Sequence, residues 1–134
     1  MRFKNVLKIG ELAKLTNCSV LTIRFYEKQG LIQIPDRTQS NYRLYKQSDV
    51  DRIKFILNCR SLNMSLNEIK QLLTYQDQPD MNCSKVNHLV DKHIQNIYQH
   101  IEQQKYLIEQ LIQLRKSCDG MCSMEKCGVI KQLS

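Results

Sequence analysis

The stretch "IGELAKLTNCSVLTIRFYEKQGLI", residues 9–32, holds two short apolar segments separated by a polar turn. Apolar residues at helical spacing predict a first helix over residues 9–15. Ser19 is a typical N-cap, because its hydroxyl can accept a free backbone N–H of a second helix, predicted over residues 20–29. Gly30 is a good C-terminal stop for that helix. Two short helices joined by about four residues predict a helix-turn-helix.

The next stretch, "LIQIPDRTQSNYRLY", contains two short β-prone runs on either side of a polar turn. The runs cover residues 31–34 and 42–45, and the turn between them contains Pro35. This arrangement predicts a small β-hairpin that would form a wing beside the helix-turn-helix.

Two further helices are predicted after the wing. The third begins at Ser48 or Asp49 and carries apolar residues on one face. The sequence Ser-Leu-Asn-Glu at residues 65–68 is a capping box, which marks the start of the fourth helix. Residues 1–76 are therefore predicted to form a mainly α, winged helix-turn-helix domain.

The positive charge of the chain is concentrated in its first half. The net charge is +7 over 134 residues. Residues 1–60 hold 12 Lys or Arg against 5 Asp or Glu, whereas residues 61–134 hold 8 of each. A basic N-terminal half followed by a neutral C-terminal half predicts a polyanion-binding head and a tail with a different function.

The cysteines pose a separate question, because three of the six fall within residues 118–127. No apolar run approaches the length of a membrane span, and the first residues lack the apolar core of a signal peptide. We therefore expect a cytoplasmic protein without membrane contact. Thiols stay reduced in the cytoplasm, which disfavours a disulfide framework and leaves a metal site or a redox switch.

A long helix is predicted between the head and this cysteine cluster. Residues 81–119 contain neither Gly nor Pro. Their apolar residues alternate in steps of four and three, which is the a/d pattern of a coiled coil and predicts a homodimer through a helix over residues 80–117. The alternative is that this helix packs on its own head. The row comprises Val90, Ile94, Ile97, Ile101, Ile108 and Leu111, with Gln104 in the remaining place.

The complete order of elements resembles that of the MerR family of transcription regulators. The resemblance is carried by residues 9–32, by "NYRLY" at 41–45 and by "NCRSLNMSLNEIKQLL" at 58–73. It covers nearly the whole chain and is most similar to the cadmium- and lead-responsive branch. It implies a DNA-bound regulator that distorts promoter DNA for RNA polymerase and so activates a metal-resistance or efflux promoter.

The chemistry of the head residues and the resemblance together predict the DNA contacts. Arg24 can reach guanine edges or phosphate, and hydroxyl groups can bind phosphate oxygens. Phe25 is expected in the core, and a core position is the alternative for Tyr26. The predicted DNA-contacting residues are Thr22, Arg24, Tyr26, Asn41, Tyr42 and Arg43.

The resemblance also implies the metal ligands, since Cys83, Cys118 and Cys127 match the three family ligand positions. In an antiparallel dimer, Cys83 of one chain would meet the cysteine loop of its partner. Cys122 departs from the three-cysteine pattern; it is a candidate fourth ligand, and the alternatives are an occasional ligand or a bystander. Residues 118–134 are thus expected to form a metal-binding loop followed by a short helix. Cys18 and Cys59 are expected to be small buried residues of the head.

The type of ligand narrows the choice of metal ion. Thiolates favour soft or borderline cations. The family's copper(I) sensors carry Ser at the position of Cys83, and its zinc sensors usually add a His that residues 118–127 lack. We therefore expect Cd(II) or Pb(II) as the effector, with Hg(II) or Zn(II) as alternatives. A thiol redox sensor and a cytosolic metal buffer are the competing functions. No nucleophile with a paired base is visible, so an enzyme is not expected.

Overall fold

The computed structural model describes residues 6–35 and 43–134, and it is mainly helical, as predicted. In these two ranges no β-strand forms. The described chain divides into two compact units, one ending at Val86 and the other beginning at Asn87. The helices are α1 (Ile9–Thr16), α2 (Val20–Lys28), α3 (Gln47–Ser61), α4 (Leu66–Gln76), α5 (Ser84–Lys116) and α6 (Gly128–Leu133), with a 3₁₀ turn at Met124–Lys126.

The predicted helix-turn-helix is confirmed in the first unit. Asn17 ends α1 in the left-handed conformation with φ 53°. Ser19 then caps α2, because its Oγ accepts the Thr22 backbone N–H at 3.1 Å. Gly30, with φ 79°, ends the helix as expected, since glycine adopts positive φ without steric cost.

The core of the first unit joins all four helices of the head. α1 contacts both α2 and α3. The most deeply buried side chains come from every helix and from the segments that follow α2 and precede α3. They are Leu12, Ile23, Leu31, Tyr45, Val50, Ile53, Ile56 and Ile69.

The predicted hairpin is wrong at its first strand. Leu31 and Ile32 are consecutive and only 1% and 3% exposed, whereas a half-buried strand buries alternate residues. The Leu31 N–H donates to the Tyr26 carbonyl at 2.9 Å, so this segment closes the end of α2. Tyr45 instead pairs with Leu7 through two backbone hydrogen bonds of 2.7 Å each. Apart from Pro35, the predicted turn lies outside the described residues.

Capping side chains set the starts of α3 and α4. α3 begins at Gln47, slightly earlier than predicted, because the Asp49 carboxylate accepts the Lys46 backbone N–H at 2.8 Å. The capping box before α4 is confirmed. The Ser65 hydroxyl accepts the Glu68 N–H at 3.1 Å, and the Glu68 carboxylate accepts the Ser65 N–H at 2.9 Å.

α5 leaves its apolar row uncovered in the single chain. Five residues of the row are between 41% and 61% exposed, namely Ile94, Ile97, Ile101, Ile108 and Leu111. Burying such a row would contribute about 25 cal/mol for each Å² removed from water. Over the ranges that the structure describes, no helix is long and apolar enough to cross a membrane.

Candidate nucleic-acid interface and metal site

The solvent face of α2 combines two cations with two apolar side chains. Arg24 and Lys28 are exposed there, one turn apart. Leu21 and Phe25 lie on the same face and are 81% and 45% exposed. Thr22 stands beside this face, and its hydroxyl lies 2.8 Å from the capping hydroxyl of Ser19. The second helix of the helix-turn-helix therefore presents a basic and apolar surface.

Phe25 is exposed where a core position was expected, and Tyr26 takes the core position that was its alternative. The prediction that Phe25 is a core residue is wrong, and Tyr26 is buried instead, with 5% exposed. Tyr26 follows the fully buried Ile23 by three residues and so shares its inner face. Burial is also the largest cause of the raised pKa of Tyr26. This position favours a core role for Tyr26 over the DNA contact that its sequence suggested.

Glu27 holds the end of α2 to the segment before α3, and sequence reasoning missed it. Its side chain is 2% exposed. One carboxylate oxygen accepts the Arg43 Nη1 at 2.8 Å, and the other accepts the Tyr45 hydroxyl at 2.7 Å. Burial first, and then the Glu27 carboxylate, raise the pKa of Tyr45 to about 12. Its place four residues after Ile23 was the available sequence signal.

Arg43 also contributes to a second basic surface, near the start of α1. A shallow cavity of about 430 Å³ is lined by Lys8, Lys14 and Arg43, together with Ile9, Gly10 and Glu11. The Arg43 side chain remains 25% exposed beside its ion pair with Glu27. Of the predicted wing contacts, Asn41 and Tyr42 lie outside the described residues.

The loop after α5 brings two of its thiols into contact. Cys118 Sγ lies 3.4 Å from Cys122 Sγ. The Gly120 backbone N–H donates to the same Cys118 sulfur, also at 3.4 Å. Gly120 has φ 86°, a conformation that residues with side chains rarely adopt, so glycine makes this turn possible.

The surroundings of Cys118 favour its thiolate form. The Gly120 N–H is the largest cause of its lowered pKa, followed by hydrogen bonds with the side chains of Cys122 and Cys127 and with the Gly128 N–H. The pKa of Cys122 is raised, first through its hydrogen bond with Cys118. The thiolate is the form of cysteine that binds metal ions.

Gly128 allows the start of α6 to lie against the end of α5. A Cβ atom at this position would overlap the Ser117 carbonyl oxygen. The close approach requires glycine, and it keeps Cys127 next to Cys118 across the loop. Sequence reasoning missed Gly128, because its role depends on the proximity of two chain segments.

The remaining cysteines lie in the first unit. Cys83 is exposed just before α5, whereas Cys18 and Cys59 are buried in the head, as predicted. Burial raises the pKa of both buried thiols. Within the described part of one chain, no group of three or more His, Cys, Asp or Glu residues could hold a metal ion.

Comparison with known proteins identifies the class of this helix-turn-helix protein. A profile described as "MerR HTH family regulatory protein" matches residues 7–76, and one described as "MerR, DNA binding" matches residues 50–114. A similar relative is the HTH-type transcriptional regulator ZntR homolog of Haemophilus influenzae. It is 44% identical over 110 residues, which are 82% of each chain.

Two metal-bound structures are also similar. The transcription regulator PbrR691 from Ralstonia metallidurans CH34, solved with lead(II), matches with a TM-score of 0.87 and 41% identity over 96% of this chain and 99% of its own. The dual-function regulator MerR from Bacillus megaterium MB1, solved with mercury(II), matches with a TM-score of 0.72 and 31% identity. That match covers 95% of this chain and 98% of the other.

The chain therefore belongs to the MerR HTH family of regulatory proteins. The resemblance noted from the sequence is confirmed. The protein is a metal-responsive transcriptional regulator, and its relatives are regulators rather than enzymes.

Proposed function

We propose that this protein is a homodimeric regulator that binds promoter DNA and responds to Cd(II) or Pb(II), with Hg(II) or Zn(II) as alternatives. The observation that carries the metal site is the contact between the Cys118 and Cys122 sulfurs beside Cys127. Soft thiolate ligands suit these cations. The likeness to a lead(II)-bound regulator supports the same group of metals.

The proposed ligands are Cys118 and Cys127 of one chain with Cys83 of its partner, and Cys122 is the candidate fourth. Two facts support this division. The Gly120 N–H and the neighbouring cysteines lower the pKa of Cys118 in the loop. Cys83 is exposed and belongs to the other compact unit. The uncovered apolar row on α5 supports the dimer, because a second copy of the same helix would bury it.

Anaerobic metal titration tests this ligand set. The reduced protein is titrated with Cd(II), Pb(II), Hg(II), Zn(II) and Cu(I) while thiolate-to-metal absorption is followed. We expect Cys83→Ser to lose tight binding of the divalent ions and to keep Cu(I), because a third thiolate supplies the additional negative charge. Cys59→Ala, which removes a thiol from the head core, should bind like the wild type. Unchanged divalent binding in Cys83→Ser would contradict the shared site.

The DNA-binding surface is proposed to include Arg24 and Thr22 on α2. Arg43 would contact phosphates near the cavity lined by Lys8 and Lys14. A helix-turn-helix places its second helix in the major groove, and the basic side chains around it bind the backbone. Asn41 and Tyr42 are proposed as further contacts from the sequence alone.

Metal binding is proposed to favour the dimer conformation that bends and untwists promoter DNA, which aligns the promoter for RNA polymerase. Deforming a site in this way costs a few kcal/mol, on the order of 1–6. Thiolate–metal binding is worth roughly 10 kcal/mol or more in structural zinc sites. A fraction of that energy is sufficient, provided that the metal binds one conformation better than the other.

Footprinting with and without metal tests this mechanism. The protected region should be the same in both states, because the regulator stays on its DNA. Metal should add hypersensitive positions at the centre of the site, where the duplex is distorted. Cys118→Ser should protect the DNA and never produce the hypersensitive positions. An identical, undistorted footprint in both states of the wild type would contradict the mechanism.

A further inference from the structure

The solvent face of α2 has an apolar half that the proposed DNA contacts do not use. Leu21, Arg24, Phe25 and Lys28 follow the i, i+3, i+4, i+7 spacing of one helix face. Leu21 is 81% exposed, and Phe25, one turn further along, is 45% exposed. The apolar pair is therefore continuous with the two cations.

A single exposed apolar residue is ordinary on a protein surface. This pair differs because both residues lie on the second helix of a helix-turn-helix, and because Arg24 and Lys28 share their face. Such a surface is complementary to a polyanion that also offers apolar groups. Duplex DNA is such a ligand, since its major groove carries the C5-methyl group of thymine.

Leu21 is placed where base edges are read. It is the second residue of α2, and the N-terminal residues of a recognition helix contact the bases. Its side chain has no hydrogen-bond donor or acceptor, so it cannot bind the polar edges of guanine, adenine or cytosine. The thymine methyl group is the feature of the groove that an aliphatic side chain contacts favourably.

We propose that Leu21 selects thymine in each half of the operator by contact with its methyl group, and that Phe25 extends the same apolar contact by one turn. This inference rests on the proposed DNA-binding function.

Methyl deletion in the DNA tests the proposal directly. The full-length wild type first selects duplexes from a random pool. Each thymine of the selected site is then replaced, one at a time, by deoxyuridine, which lacks only the methyl group. We expect one thymine per half-site at which this change weakens wild-type binding about fourfold, the value of one buried methyl group.

The variant Leu21→Ala tests whether the response to methyl removal depends on the Leu21 side chain. It should bind the thymine and deoxyuridine duplexes equally at that position, and its salt dependence should match the wild type, since phosphate contacts are unchanged. Leu62→Ala is the matched control, because Leu62 is a similarly exposed leucine (61%) immediately after α3. It should keep the wild-type response to deoxyuridine.

Two results would overturn the proposal and leave DNA binding intact. One is that no thymine in the selected site responds to methyl removal. The other is that Leu21→Ala responds as strongly as the wild type. If the wild type selects no duplex at all, the proposed function fails and the inference fails with it, so the two failures are distinguishable.

Discussion

Gly128→Ala is expected to weaken the binding of soft divalent metals about tenfold to a hundredfold, the range for removing groups that orient metal ligands. The added Cβ would overlap the Ser117 carbonyl oxygen, so α6 must move away from the end of α5. That movement separates Cys127 from Cys118 and removes the Gly128 N–H from the Cys118 sulfur. Anaerobic titration followed by thiolate-to-metal absorption measures the change.

Gly10→Ala is the matched control for this experiment. Gly10 lies in α1, and a Cβ there would meet no atom within 4 Å. This variant should bind metal like the wild type. Wild-type affinity in Gly128→Ala would show that the close approach to Ser117 does not contribute to the site.

Glu27→Gln is expected to lower the free energy of unfolding by about 3 kcal/mol, as when one partner of a buried ion pair is removed. The neutral amide cannot accept hydrogen bonds at both former oxygens, so either Arg43 or Tyr45 loses its acceptor. Arg43 is 25% exposed and can regain water, which places the effect at the lower end of the range. Urea unfolding at one fixed protein concentration measures it.

Glu102→Gln provides the comparison. Glu102 pairs with Lys105 at 3.3 Å, and both side chains are well exposed, 73% and 66%. An exposed helix pair at this spacing is worth about 0.2–0.5 kcal/mol. If Glu27→Gln costs no more than Glu102→Gln, the ion pair in the head does not stabilise the fold as proposed.

Local signals predicted most of the helices. Ser19 and Gly30 delimit α2, and the Ser65–Glu68 pair marks α4, because caps act through hydrogen bonds only a few residues away. The hairpin prediction was wrong because the conformation of residues 31–34 does not depend on local signals alone. β-propensity alone cannot distinguish a strand from the buried segment formed by Leu31 and Ile32, where tertiary packing decides the conformation.

The candidate site was less predictable than the fold. The spacing of Cys118, Cys122 and Cys127 indicated a thiol cluster. It did not indicate that the close approach of Gly128 to Ser117 holds the two ends of the cysteine loop together. The exposed position of Phe25 also required the structure. The spacing of Tyr26 three residues after Ile23 indicated that it faces inward, but the exposure of Phe25, another large aromatic residue, was seen only in the structure.

If α5 pairs in the proposed homodimer, its uncovered apolar row would link the amount of folded regulator to the amount of chain in the cell. In the proposed homodimer a second copy would bury Ile97 and Ile101, so the folded chain would gain stability by mass action as it accumulates. Dilution of the proposed dimer would therefore lower the free energy of unfolding. Newly made chains at low abundance would be the most exposed to proteolysis, so the threshold for regulation by the proposed dimer would depend on expression level as well as on metal.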